Sequence, residues 1–349
     1  MKTRTLVGAA LALGIFLNLT FLVAALAGPP AGGPAPPSSP PYRISGPFSS
    51  GNLSVFLVHG QDQLKGTEIL TLQEALAQKL VVVRETGNVN QLSIRNLSDK
   101  LVFVQSGDIV KGGRQDRTMQ YDLILQPGSG EVPLASFCVE SGRWSQRGSE
   151  SGAVFGSAYG ALATKSLKLA AKSRGEQSAV WGAVEEAQAN LKRALKESVN
   201  NPASPSSLQL TLENSRVKET TQQYVDQLAK VVAGKNDAIG YAFAINGKIN
   251  SADIYASHAL FMKFWPKLLQ SSAVEAIAER DGNPNGASLP PPSPGAVRAC
   301  LQQPRAAKES TQSVARSTKL ETRDSKDAVD FLTRDTEANV VLHRNLIAK

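Results

Sequence analysis

The chain has 349 residues, 42% of them hydrophobic, and a formal net charge of +8; at roughly 150 residues per domain it can form two domains without requiring them. Lys and Arg alternate with Asp and Glu along most of the chain instead of gathering on one face, which excludes nucleic-acid binding as the reading of the charge. The three histidines, His59, His258 and His343, stand at no metal-ligand or triad spacing, and no Gly-x-Ser-x-Gly elbow or His-Glu-x-x-His run occurs.

Lys2 and Arg4 precede an apolar run from Leu6 to Leu26, and the small residues Ala25 and Ala27 follow. This is the layout of a secretory signal peptide, residues 1–27, cleaved after Ala27. The alternative is a membrane anchor over residues 6–26, because the run reaches the roughly 20 residues that span a bilayer. Either way the body of the protein is expected to be exported, periplasmic or extracellular, and it meets a membrane only if the segment stays uncleaved. Residues 28–42, GPPAGGPAPPSSPPY, are too poor in large apolar side chains to pack and read as a tether.

Short apolar runs separated by turn residues then predict β-strands over Asn52–Val58, Leu80–Glu85, Val89–Ile94, Leu101–Gln105 and Met119–Leu125. A short helix is expected from Thr71 to Gln78, with Thr71 and Glu74 forming a capping box. The middle, Ala158 to Glu197, carries Trp181, Val184, Ala187, Leu191 and Leu195 on one helical face. After the Pro/Ser/Asn linker 200–207, a second helix around Tyr224–Ala233 predicts a helical hairpin.

Asn246-Gly247 between two alternating runs predicts a tight β-hairpin. It leads into an aromatic helix around Leu260–Leu269, where Pro266 implies a kink or a first-turn position. The expected architecture is α+β: mainly antiparallel sheet with a helical hairpin insertion and a C-terminal helix, in one compact domain over residues 43–281. Residues 282–328, Pro-rich and then charged, read as flexible, and 329–349 as holding one last strand.

The chemistry-bearing residues cluster in two runs, Gly107–Arg117 and Cys138–Trp144. Glycines beside Lys111, Arg114 and Arg117 let backbone N–H groups and guanidiniums approach an anion, with Gln115, Glu140, Arg143 and Trp144 completing a polar pocket. The run lacks the Gly-Lys-Ser/Thr ending of a P-loop, and a tight turn with structural ion pairs is the competing reading, with Glu140 pairing Arg143 or Arg117. Cys138 reads as buried filler, as half of a disulfide to Cys300, or as a nucleophile. No metal and no cofactor follow from these residues, and the oligomeric state is left open.

Residues Thr71–Trp144 resemble the ARG and rhodanese-phosphatase-superfamily-associated protein domain, through Gly107-Asp108-Ile109-Val110-Lys111-Gly112-Gly113-Arg114-Gln115-Asp116-Arg117 and Ser136-Phe137-Cys138-Val139-Glu140-Ser141-Gly142-Arg143-Trp144. The hairpin and Trp265-Pro266-Lys267-Leu268-Leu269 are similar to the closing part of the same domain, so the likeness runs to about Ala278. The chain departs from the pattern at Gly113, Arg114 and Asp116. The resemblance implies one domain and a link to ADP-ribose or nucleotide chemistry. Three functions follow as expectations: an envelope binding module for a small anionic ligand; a hydrolase or transferase on an ADP-ribose- or nucleotide-like substrate, with Glu140 as base or Cys138 as nucleophile; and a structural envelope protein.

Overall fold

A computed structural model describes residues 42–158, 160, 162–280, 289–302 and 307–349; the expected signal peptide and the tether up to residue 41 lie outside the described residues. The chain enters through β1 (Arg43–Ser50) and turns at Gly51-Asn52 into β2 (Leu53–His59), its antiparallel neighbour. β3 (Ile69–Thr71) runs directly into α1 (Leu72–Ala77). The Thr71 hydroxyl accepts from the Glu74 N–H and the Glu74 carboxylate accepts from the Thr71 N–H, which is the capping box that the residue types predict.

Eight short strands follow: β4 (Val81–Glu85), β5 (Gln91–Asn96), β6 (Leu101–Val104), β7 (Ile109–Gly112), β8 (Arg117–Met119), β9 (Leu123–Leu125), β10 (Val132–Cys138) and β11 (Phe155–Ser157). Six of them form a sheet in the order β11-β7-β8-β10-β5-β4, while β6 lies between β3 and β9 in a separate three-stranded sheet. The apolar run Met119–Leu125, expected as one strand, is therefore two. Gln120-Tyr121-Asp122 carries the chain from one sheet to the other, and continuous hydrophobicity hides such a break because both halves are buried.

The helical middle comprises α2 (Lys165–Leu169), which continues as a π-helical turn over Ala170–Arg174, then α3 (Gln177–Leu195), α4 (Leu208–Leu212) and α5 (Ser215–Leu228). β12 (Ala238–Ile245) and β13 (Lys248–Tyr255) form the expected hairpin, with Asn246 at φ +51° and Gly247 at φ +78° in the left-handed region that a two-residue turn requires. α6 (His258–Ala278) carries Pro266 in its interior, and α3 and α5 both lie on α6. α3 and α5 also touch each other, and both pack on the long helix α6.

The C-terminal part differs from expectation. Residues expected to be flexible form α7 (Pro294–Gln302), β14 (Lys308–Ala315) and β15 (Thr318–Asp324); those expected to hold one strand form the pair β16 (Ala328–Asp335) and β17 (Val340–Ala348). The polar composition that suggested flexibility belongs to an edge hairpin, whose β14 is mostly exposed and is held by its ladder to β15. β17 inserts beside β13, completing an antiparallel eight-stranded sheet ordered β1-β2-β12-β13-β17-β16-β15-β14. The domain consequently runs to the C-terminus, and residues 40–349 form one compact unit.

That sheet is buried on both faces at its centre. In β2, Leu53, Val55 and Leu57 face the core shared with α6, while Phe56 and Val58 face the smaller core closed by Val297 and Leu301 of α7. Alternation of side chains along a strand makes this double burial possible, and it explains why Val55–Val58 reads as a continuous hydrophobic run.

Candidate functional site

β7 and β8 are antiparallel neighbours joined through Gly113–Asp116, and β10 continues the sheet with Cys138 opposite Arg117. Gly113 has φ +58°, and a Cβ there would fall 2.3 Å from the Phe155 ring and 2.7 Å from Glu85 Oε1. Only glycine lets the loop fold down onto Glu85, whose Oε1 accepts the Arg114 N–H at 3.1 Å. The two runs singled out from sequence are therefore brought together by strand pairing.

Their charged side chains form a saturated lattice. Glu140, fully buried, receives Arg143 in bidentate fashion, Nε to Oε1 at 2.7 Å and Nη2 to Oε2 at 2.6 Å. Arg147 grips Asp116 with two bonds of 3.0 Å, reaches Glu140 Oε1 at 3.2 Å and pairs with Glu150. Asp116 also accepts from Ser207 Oγ at 2.9 Å and from the Gly112 N–H at 3.1 Å, and Gln115 Nε2 donates to the Glu140 carbonyl at 2.8 Å. Lys111 joins the edge of the lattice, pairing with Glu213 at 2.7 Å and with Glu150 at 3.7 Å. Burial pushes the Asp116 carboxyl up against the opposing pull of Arg147. For Glu140 burial is outweighed by Arg143, Ser204 and the Asp116 N–H, which hold its carboxyl below the usual range.

Arg117 stands apart from this lattice. It is fully buried, donates from Nη1 to the Val89 carbonyl at 2.5 Å and touches Cys138 Sγ; Nη2 lies 3.5 Å from Glu85 Oε2, and neither Nε nor Nη2 makes a hydrogen bond. Above it lies the Trp144 ring, 46% exposed, with the Arg117 guanidinium 5.9 Å and the Arg114 guanidinium 5.7 Å from its centroid. Arg114 is exposed, and its side chain makes no ion pair among the described residues. Two guanidiniums, one buried and one exposed, thus lie against a half-exposed tryptophan ring.

Cys138 is a thiol. Burial pushes its pKa up to about 11 against the pull of Arg117, and its flanking peptide is clamped by both ends of the Gln177 amide at 2.9 and 2.8 Å. The two cysteines form no disulfide: Cys300 sits on α7 against the small core under that helix, whereas Cys138 ends β10 in the six-stranded sheet. Native protein is therefore expected to resist thiol alkylation at Cys138 at pH 8 and to react once denatured, because only the thiolate attacks. Mass spectrometry of alkylated peptides before and after denaturation checks this.

Of the residues singled out from sequence, Gln115, Glu140 and Arg143 meet in the lattice and Arg117 and Trp144 lie beside it; of the two pairings expected for Glu140, with Arg143 or with Arg117, the structure forms the one with Arg143, and Arg117 faces Glu85 instead. Sequence reasoning missed Arg147, Glu150 and Glu85 as partners, although Arg143-x-x-x-Arg147-x-x-Glu150 in a Gly/Ser-rich loop is a visible charge pattern. It also missed a second polar cluster. His343 Nδ1 is 2.8 Å from Asp122 Oδ2 and its Nε2 is 3.1 Å from Asp253 Oδ1, all three buried, with the imidazole stacked on Tyr255 at 4.6 Å. Asp122 further accepts from the Ser106 N–H at 2.7 Å and from Thr333 Oγ1 at 2.6 Å, so this cluster fastens the three-stranded sheet to the eight-stranded one.

A family model described as the ARG and Rhodanese-Phosphatase-superfamily-associated Protein domain matches residues 41–347. No curated protein and no solved structure matches the chain.

Proposed function

The chain belongs to the ARG and Rhodanese-Phosphatase-superfamily-associated Protein domain family, and from that premise we propose that it is an exported binding module whose Arg114–Trp144–Arg117 cluster takes a small anionic ligand with a planar group. The observation that carries this reading is the pair of hydrogen-bond donors on Arg117 left unused beneath a half-exposed tryptophan. Buried unsatisfied donors are costly, and an aromatic face with a guanidinium at its edge suits a ring bearing a carboxylate or phosphate. Export is supported by Lys2 and Arg4, the apolar run and Ala25-x-Ala27.

In this reading Arg143 and Arg147 do not touch the ligand. They are fully engaged by Glu140, Asp116 and Glu150, and their work is to freeze the Trp144 loop over β7 and β8. A hydrolytic role for the same residues has less support: each Glu140 carboxylate oxygen already accepts from two donors and burial keeps Cys138 a thiol, so neither a general base nor a nucleophile is poised.

The test is a thermal-shift and tryptophan-fluorescence titration of the protein from Gly28 with ADP-ribose, nucleotides and phosphorylated sugars. Ligand at one hundred times its Kd is expected to add about 2.7 kcal/mol. Trp144→Ala and Arg114→Ala should abolish the response while leaving the unliganded melting temperature within about 1–2 °C, since both side chains are exposed. A response that survives in both variants places the ligand elsewhere, and no response to any compound removes the reading.

A further inference from the structure

Three side chains outside the clusters described above meet near the β1 edge of the eight-stranded sheet. Ser45 lies on the edge strand β1, His59 ends β2, and Asp237 immediately precedes β12. Strand pairing sets them side by side: Arg43 and Ala238 are the partners of His59 on its two neighbouring strands, and the Gly60 N–H donates to the Asp237 carbonyl at 3.0 Å. Ser45 stands opposite Leu57, two residues before His59 and so on the same face of the sheet. Directly after Ser45 the ladder is interrupted, with Gly46-Pro47 facing Phe56 alone before pairing resumes at Phe48 and Val55. Such a bulge bends the strand and re-aims the side chains beside it. His59 is 14 positions from Ser45 and 178 from Asp237, so no local spacing displays the set.

Ser45 Oγ lies 2.7 Å from His59 Nε2, and His59 Nδ1 lies 2.8 Å from Asp237 Oδ1, while Arg43 holds the other Asp237 oxygen. The hydrogen bond from His59, and Arg43 after it, pull the Asp237 carboxyl down to about 2, so it is a carboxylate and only accepts. In the neutral imidazole the proton therefore sits on Nδ1, and the Nε2 lone pair accepts the Ser45 O–H. Burial is graded in the sense that nucleophilic chemistry requires. The imidazole is only 2% exposed and is kept from water, whereas Ser45 is half-buried on an edge strand and can be reached. A hydroxyl that donates to a base, itself oriented by a third group, is the arrangement that activates an alcohol as a nucleophile.

We propose that Ser45, His59 and Asp237 form an acyl-transfer site that hydrolyses small carboxylic esters. Ser45 Oγ attacks the ester carbonyl carbon while His59 Nε2 takes its proton; the bond from that carbon to the alcohol oxygen then breaks, and His59 returns the proton to the departing oxygen. Water, deprotonated in its turn by His59, attacks the ester formed on Ser45, which releases the carboxylic acid and restores the hydroxyl. Asp237 is a positioning residue: it fixes the tautomer and balances the imidazolium that forms, and Arg43 steadies it from its other oxygen. The Arg43 and Asp237 side chains at the rim are 59% and 54% exposed, so an incoming acyl group meets an open polar edge, which suits a short chain. The site shares no residue with the Trp144 region and does not depend on that reading.

Two probes test it on the purified protein: a fluorophosphonate, which phosphonylates an activated serine with loss of fluoride, and p-nitrophenyl acetate, whose hydrolysis is read as released p-nitrophenol. Mass spectrometry of the labelled peptides is expected to place the phosphonyl group on Ser45 and not on Ser49 of the same strand, whose hydroxyl meets only that of Ser54. Ser45→Ala should take no label there and lose about a hundredfold or more of the ester turnover. Asp237→Asn should slow both labelling and kcat about a hundredfold or more, because an amide that donates to Nδ1 leaves the proton on Nε2, the wrong tautomer. Both variants should melt within about 4 °C of the wild type, since one side chain is exposed and the other loses a single hydrogen bond; a purely structural hydrogen-bond chain would move the melting temperature without this loss of reactivity. Absence of a Ser45 adduct, turnover retained in Ser45→Ala, or labelling and turnover unaltered in Asp237→Asn would each overturn the proposal.

Discussion

Glu140→Ala is expected to destabilise the domain by about 3–5 kcal/mol, the cost of breaking a buried ion pair by removing one partner. At roughly 2–4 °C per kcal/mol for larger domains, this is a drop of about 6–20 °C in melting temperature. The reason lies in the count of contacts: Glu140 alone accepts from Arg143, Arg147 and the Asp116 N–H, and none of its oxygens reaches solvent. Its removal leaves Arg143 nearly without a counter-charge, since Asp116 lies 3.8 Å from it and is already held by Arg147. Glu150→Ala is the internal control. Glu150 is partly exposed and shares Arg147 with two other carboxylates, so its loss should cost about 1 kcal/mol or less. Calorimetric scans of the two variants beside the wild type check the pair, and comparable costs would mean that the lattice is not what holds the loop. Because Arg114 and Trp144 remain exposed in either variant, the same proteins show whether ligand response depends on a frozen loop.

The parts of the fold that could be read in the chain are those with local causes. Thr71 and Glu74 announce α1, and Asn246-Gly247 announces the β12–β13 turn, since both signals act within four residues. β1 escaped notice because Arg43–Ser50 lacks alternation, contains Gly46-Pro47 and lies at a sheet edge where only Ile44 and Ser50 are buried. The C-terminal hairpins escaped because hydrogen-bonded ladders hold polar strands as well as apolar ones, and composition does not register that. The same division applies to the site. Gln115, Arg117, Glu140 and Arg143 were legible because two short motifs carry them, whereas the choice of Arg143 over Arg117 as partner to Glu140 is made by loop geometry. Asp108 with Lys267, and His343 with Asp122 and Asp253, join residues 90 to 221 positions apart. Such pairs follow from sheet order, and β17 inserting between β13 and β16 is visible in no local pattern.

His343→Gln is expected to cost about 3–5 kcal/mol at pH 6, because Asp122 and Asp253 would face a neutral amide in a buried site. Both imidazole nitrogens lie against carboxylate oxygens, so both donate and the ring is an imidazolium. Burial lowers the His343 pKa, but Asp122 and Asp253 together outweigh it and raise the group above 6.5. Asp122 is correspondingly held below its ordinary 3.8, His343 and Lys172 overcoming burial, and Asp253 likewise with Lys168 as the leading opposing charge. A raised histidine contributes stability that is fully present below about pH 6.5 and is lost as pH climbs through its folded value; the two lowered carboxylates contribute stability present above about pH 4 and lost as pH falls. The difference between wild type and His343→Gln should therefore be largest between about pH 4 and 6.5 and should close at higher pH. Two other buried groups titrate as well: Glu275, raised from 4.5 to about 7 by burial, destabilises the fold as pH rises through that range, and Lys172, lowered by burial, acts in the opposite sense on the alkaline side. Glu275 makes no hydrogen bond or ion pair with His343 or its two carboxylates and cancels in the difference, whereas Lys172 faces the same two carboxylates as His343 and its titration adds to the pH dependence of the gap. Urea melts of both proteins from pH 5 to 9 measure it; a gap that stays constant with pH would mean that His343 is neutral in the folded protein and that its two carboxylates are paired by other means.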